Sequence, residues 1–308
     1  MFKTIVIGID GSKASFHAAV EAANLGLMKD AEVELVGALD LNQITLLGLS
    51  LLSDEERETL VGAIESEYLV PIEETLANLG VKIRGKRVVE DIPHEALRKS
   101  VEDLDADLLI IGRHGYGTVR RFMMGSVSSR MLEHALKPTL VVPDEAPFEP
   151  GTPIHIFVPV DFSDDAMAAL ELAKNLAKSV AATITIGHCV PAGESLPLGL
   201  PEGAFTEQLD FMEAHRAFLA RAEERLNELA AELHEQGVET KVAISSESVV
   251  DGICKSRREA GANLIVLSSH GHSGFRKFWL GSVANGVVKQ AACPVLVVPA
   301  LEKSADKS

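Results

Sequence analysis

The chain contains one pattern twice. Residues 2–10 read FKTIVIGID and lead into Gly11-Ser12. Residues 154–161 read IHIFVPVD and lead into Phe162-Ser163, so Asp161 follows Asp10 by 151 residues. A second match lies late in each half. GRHGYGTVRRFMMGS over 112–126 faces SSHGHSGFRKFWLGS over 268–282, which sets Gly115 against Gly271 and Gly125 against Gly281 at an offset of 156. Two long segments repeating at nearly one spacing mean two copies of one unit. Each copy has about 150 residues, an ordinary domain size. The joint falls in DEAPFEPGTP, Asp144–Pro153, rich in proline and acid and without periodicity. The expected domains are therefore 1–144 and 153–300.

Each copy alternates short apolar runs with amphipathic ones. In the first, Thr4–Ile9, Val33–Ala38, Val81–Val89, Leu108–Ile111 and Thr139–Val142 read as strands, and β-branched apolar runs of this length suit a sheet buried on both faces. Between them, Ala14–Leu27 follows a capping Ser12, a capping box at Ser53–Glu56 opens a long helix towards Leu79, and Pro93–Leu104 and Ser126–His134 complete the set. The second copy follows suit, from Ile156–Val160 to Val295–Val298. Strand–helix alternation of this kind predicts an α/β fold with an open parallel sheet, whose ligands sit at the carboxyl ends of the strands.

Composition narrows the function. Hydrophobic residues make up 46% of the 308, and 45 Asp+Glu against 29 Lys+Arg give a formal net charge of −16. That apolar content excludes general disorder. The negative balance argues against nucleic acid as a partner, since a polyanion repels another. The longest nearly apolar stretch, Ile44–Leu52, is far short of the ~20 residues of a membrane span. Cys189, Cys254 and Cys293 cannot form an even disulfide framework and read as thiols in a reducing cytoplasm.

The late glycine loop is where chemistry can reside. Gly112 and Gly115 stand after a strand, and Gly125-Ser126 opens a helix whose unpaired amides and dipole make an anion site, which the hydroxyls of Ser126 and Ser128 would also face. Neither the P-loop nor the dinucleotide spacing of glycines is met. Asp10 and Asp161, ending the first strand of each copy, read either as turn residues or as acceptors for ribose hydroxyls. The matched basic pairs Arg120-Arg121 and Arg276-Lys277 read either as phosphate neutralisers or as exposed turns. His114 and His270 read as loop hydrogen-bonders. No HExxH, Cys/His cluster or GxSxG occurs, so neither a metal site nor catalytic residues are expected.

These residues resemble the universal stress protein family in its tandem two-domain form. The most specific part is the family's G-2x-G-9x-G-S/T pattern, met by Gly112, Gly115, Gly125 and Ser126. The openings IVIGIDGS and FVPVDFS and the endings PTLVVP and CPVLVVP fit as well. The resemblance implies two five-stranded parallel, Rossmann-like domains of the adenine nucleotide alpha hydrolase-like type, whose last strands pair as an intramolecular pseudo-dimer. It implies ATP, with or without Mg²⁺, as ligand. Asp10 would meet the ribose and the backbone of Ala38 the adenine. Gly112, Gly115, Gly125 and Ser126, with the amides of Val127 and Ser128, would hold the phosphates. In the second copy Asp161, Cys189, Gly271, Gly281 and Ser282 match, but Ser268 replaces the first glycine. That implies a weaker second site, with strain if the backbone there needs a positive φ.

The expected role is a nucleotide-binding stress-response sensor or interaction module, with a homodimer left open. The alternatives are a slow ATPase, or a scaffold whose apolar loops Ile44–Leu52 and Ser195–Phe205 cover a partner surface or hold a lipid-like ligand.

Overall fold

Strands that are apolar on both faces leave no surface for water, and helices cover them. The computed structural model describes residues 1–42, 52–115, 124–144, 151–191, 208–271 and 280–301. In the first copy the order is β1 (Thr4–Gly8), α1 (Lys13–Asn24), β2 (Glu32–Ala38), α2 (Asp54–Ile64), a π-helical turn (Glu65–Leu69), α3 (Val70–Asn78), β3 (Lys82–Val89), α4 (Pro93–Asp103), β4 (Leu108–Gly112), α5 (Ser126–Glu133) and β5 (Thr139–Val142). The second runs β6 (His155–Pro159), α6 (Asp164–Val180), β7 (Thr183–Cys189), α7 (Gln208–Glu235), β8 (Thr240–Ser245), α8 (Val249–Ala260), β9 (Leu264–Ser268), α9 (Ser282–Gln290) and β10 (Val295–Val298).

In the first copy β1 pairs in parallel with both β2 and β4, β2 with β3, and β4 with β5. The chain therefore lays down strands on one side of β1, then crosses to the other side for β4. The second copy repeats this, β6 pairing in parallel with β7 and β9, and β7 with β8. This is the expected α/β class with parallel sheets. β10 pairs antiparallel with β5, Leu296 opposite Leu140, the pairing of last strands that the resemblance implied. The compact unit that contains Met1–Thr152 also takes in Val288–Pro299, while Pro153–Gly274 and Gly281–Val287 belong to the other.

Ile5, Ile7, Leu108 and Ile110 are wholly buried in the first copy, as are Ile156, Ile184, Leu264 and Val266 in the second. Not every buried strand position is apolar. Glu34 on β2 is buried, and the Nε of Arg87 on β3 donates to its carboxylate at 2.8 Å. The register slips between Val33 and Glu34, so Glu34 lies opposite Gly85, where a Cβ would come within 2.9 Å of the carboxylate.

The expected continuous helix from Ser53 to Leu79 is instead two α-helices joined by the π turn. The capping box at Ser53 and Glu56 is present. Pro71, at the start of α3, is the reason for the break: it has no N–H to give, and its ring crowds the carbonyl one turn back, so the helix widens just before it. The apolar loops Ile44–Leu52 and Ser195–Phe205 and the basic pairs Arg120-Arg121 and Arg276-Lys277 lie wholly or nearly wholly outside the described residues.

Glu21 is a buried acid in α1, only 2% exposed, and loss of water pushes its carboxyl up from 4.5 to about 7. The folded state keeps a proton that the unfolded chain releases above pH 4.5. The penalty on folding is therefore absent below that pH, grows between 4.5 and about 7, and is full above. Glu21→Gln should stabilise the protein against urea at pH 8, and the gain should vanish as the pH is lowered to 4.5. An equal gain at both pH values would contradict this account of Glu21.

Candidate functional site

The place where strand order reverses, between β1 and β4, opens a crevice at their carboxyl ends. Two residues beyond β1 stands Asp10. Its Oδ1 accepts the backbone N–H of Ser12 at 2.9 Å and the Ser12 hydroxyl at 2.6 Å. Ser12 is the N-cap of α1 and in turn accepts from the Ser15 amide at 3.1 Å. This is a turn built by the Asp side chain, and it leaves the second oxygen, Oδ2, facing the other wall. There it meets Gly115, at which a Cβ would lie 2.3 Å from Oδ2. The two readings of Asp10 in the sequence are thus compatible: one oxygen organises the turn and the other faces the glycine loop.

The rest of the loop is equally close-fitting. A Cβ at Gly112 would stand 3.1 Å from the His114 carbonyl and 3.2 Å from the backbone of Ala14. One at Gly125 would stand 3.2 Å from the Arg113 carbonyl, which already accepts the Gly125 N–H at 2.9 Å. Gly112, Gly115 and Gly125 all have negative φ. These glycines are needed because backbone packs against backbone or carboxylate. Gly11 is different. It has a φ of +79°, and the Tyr68 ring, carried on the π turn, covers its Cα so closely that a Cβ would lie 2.7 Å from ring carbon.

Gly125 caps α5 without a side-chain hydrogen bond, and the first bond inside the helix runs from the Ser129 amide to the Gly125 carbonyl. The amides of Ser126, Val127 and Ser128 lie ahead of that bond, at the positive end of the helix. Ser126 is exposed. Ser128 is buried, and its hydroxyl donates to the Gly112 carbonyl at 2.8 Å. This corrects the expectation that the Ser128 hydroxyl faces a ligand: it ties α5 to the end of β4. Ala38 ends β2, whose register sets Val36 beside Gly8, so its backbone comes level with Asp10. The structure brings Asp10, Ala38, Gly112, Gly115, Gly125 and the start of α5 to one end of the sheet.

His114 is the loop hydrogen-bonder that its sequence suggested, and Arg113 is the residue that sequence reading missed. His114 is buried, with Nδ1 2.7 Å from the Asp144 carboxylate just past β5. Arg113 sits between the first two glycines with its guanidinium half-buried. Burial pushes it below its ordinary value, and Asp144 acts in the opposite sense.

The second copy keeps the frame and changes the walls. Asp161 Oδ1 accepts the Ser163 amide at 3.0 Å and its hydroxyl at 2.5 Å, and a Cβ at Gly271 would lie 2.3 Å from Asp161 Oδ2. The Gly281 N–H donates to the Ser269 carbonyl at 2.8 Å, just ahead of Ser282 and α9. Ser268 has no positive φ, so the expected strain there is absent. Its hydroxyl instead donates to the His270 carbonyl at 2.5 Å. The left-handed residue is Phe162, at a φ of +64°, where the first copy has Gly11. Its ring lies 4.2 Å below the Arg225 guanidinium carbon and 5.0 Å from the His188 ring. Cys189 ends β7 as Ala38 ends β2, and burial pushes its thiol up to about 11. Among the described residues no three His, Cys, Asp or Glu side chains gather as a metal site, and no helix is long and apolar enough to cross a membrane.

Known proteins carry the same pattern. A model described as the universal stress protein family matches residues 1–143 and again 154–299. A universal stress protein of Mycolicibacterium smegmatis is 26% identical over 300 residues, covering 96% of this chain and 96% of that protein. One of Mycobacterium bovis is 27% identical over 319 aligned positions, covering 95% and 94%. Among solved structures, a universal stress protein from Archaeoglobus fulgidus superposes with a TM-score of 0.69 at 20% identity, covering 96% of this chain and 98% of that one, a likeness of fold.

The contact between Asp10 and Gly115 has a measurable cost if filled. Gly115→Ala must displace the carboxylate and disturb its bonds to Ser12, a loss of about 1.5–3 kcal/mol for hydrogen bonds to a charged group. In the Asp10→Ala background the same substitution should cost almost nothing. A double-mutant cycle by urea denaturation reads the coupling, and additive effects would remove the contact from the explanation.

Proposed function

Because the chain belongs to the universal stress protein family, we propose that its first copy binds an adenine nucleotide, ATP in the first instance, in the crevice beyond β1 and β4. The observation that carries this reading is the convergence at one sheet end of the Asp10 carboxylate, the bare backbone of Gly115 and the uncapped start of α5. The chemistry of the three matches the parts of a nucleotide. A carboxylate accepts hydrogen bonds from ribose hydroxyls, and amides at a helix N-terminus attract phosphate. The fit of a phosphate chain is supported by the same glycines. A side chain at Gly115 or Gly125 would fill the space between Asp10, the Arg113 carbonyl and the helix start.

In this reading Asp10 holds the ribose and the backbone of Ala38 reads the adenine edge. Gly112, Gly115, Gly125 and Ser126, with the amides of Val127 and Ser128, hold the phosphates. The second copy offers Asp161, Cys189, Gly271, Gly281 and Ser282 in matching places. Ser268 puts a side chain where Gly112 has none and spends its hydroxyl on the His270 carbonyl, which favours a weaker second site. The role that follows is nucleotide-dependent sensing or partner binding in a stress response, without dedicated catalysis.

Isothermal titration of the full chain with ATP tests this. Wild type should bind, and Gly115→Glu should lower the affinity of the tight site at least about tenfold, equivalent to ~1.4 kcal/mol. Gly271→Glu should leave that site untouched. A Gly115→Glu protein that keeps its far-UV circular dichroism and binds ATP as wild type does would overturn the proposal.

A further inference from the structure

Arg113 is joined to three elements at once. Its backbone N–H donates to the Val142 carbonyl at the end of β5 at 2.7 Å, and its carbonyl accepts the Gly125 N–H that starts α5. Its side chain reaches the carboxyl end of α9, where Nη1 donates to the carbonyls of Ala291 at 2.9 Å and Lys289 at 3.3 Å. Those carbonyls belong to the same compact unit as Arg113 itself. They lie at and just past the end of the helix, at the negative pole of its dipole, where a cation is favoured.

The backbone bond to the helix start is common to both copies, since Ser269 holds Gly281 as Arg113 holds Gly125. The side-chain anchor is not. Ser269 Oγ accepts the nearby Ala300 amide at 3.0 Å and shares a hydrogen bond of 3.0 Å with His270 Nδ1. The first copy therefore has a charged tether on its glycine turn that the second lacks. The guanidinium is half-buried, and its Nε has no hydrogen-bond partner among the described residues. Desolvating this group is costly, and a simple surface turn does not need it.

We propose that Arg113 is the positioning residue of the phosphate-binding turn. By fixing the segment from Gly112 to Gly115 onto the α9 carbonyls, it keeps the Gly125 amide and the start of α5 at the right separation from Asp10. It acts through the turn and touches no ligand. The proposal rests on the nucleotide reading above and adds to it a cause for unequal affinity in the two copies.

The test uses the full chain with ATP and adenosine as probes, because adenosine lacks the group that the turn would hold. Arg113→Met should weaken ATP about tenfold and change adenosine binding by less than about twofold. Arg113→Lys, which keeps a charged donor, should recover most of the ATP affinity. Thermal unfolding reports whether each variant is folded. Equal losses for ATP and adenosine would mean a general structural role and would overturn the proposal, as would an Arg113→Met protein with unchanged ATP affinity. A wild type that binds neither probe would overturn the nucleotide reading instead.

Discussion

A carboxylate held against bare backbone sets the geometry of each copy. Asp10 and Asp161 each use one oxygen to fasten the turn into the following helix and place the other on a glycine far away in sequence. The end of the first strand and the late loop thereby lie closely against one another. Much of the neighbouring backbone follows from that closeness. Gly112 must fit between Ala14 and the His114 carbonyl, Gly125 must fit against Arg113, and Ser128 ties the new helix back to β4. Glycine is required at these places for lack of volume, a demand made by tertiary packing.

This difference decides what could be read from the chain alone. The strands were legible because a parallel strand covered on both faces admits little except β-branched and aliphatic residues. The helices were legible from their caps, Ser12, Ser53 and Ser163, each of which binds an amide three residues on. The π turn was not, because a proline in a long helical pattern can mark a start, a kink or a stop, and the local sequence does not select among them. The pairing of Glu34 with Arg87 was not legible, since nothing in a strand's own sequence reveals that its neighbour carries the opposite sign at the same height.

The site was half legible. The spacing of glycines and the repeated aspartate located it, and the strand order placed them together. What spacing could not convey was direction: the Ser128 hydroxyl turns inward to a carbonyl, and Arg113, hidden between two glycines that drew the eye, points away from the crevice to the end of α9. Gly11 and Phe162 make the same point. Both have left-handed backbone at matching positions. One is overlain by a tyrosine from a helix, and the other supplies its own ring beneath Arg225. The copies have kept a shape while exchanging the side that furnishes it.

The antiparallel seam between β5 and β10 bears on how such a chain can be divided. A gene fission placed in the proline-rich joint would separate Thr139–Val142 from the strand that covers it and Arg113 from its carbonyls. The amino-terminal fragment would then present an open hydrogen-bonding edge, a ready template for another molecule. In the intact chain that edge is closed from within, by a strand that arrives at the far end of the second copy.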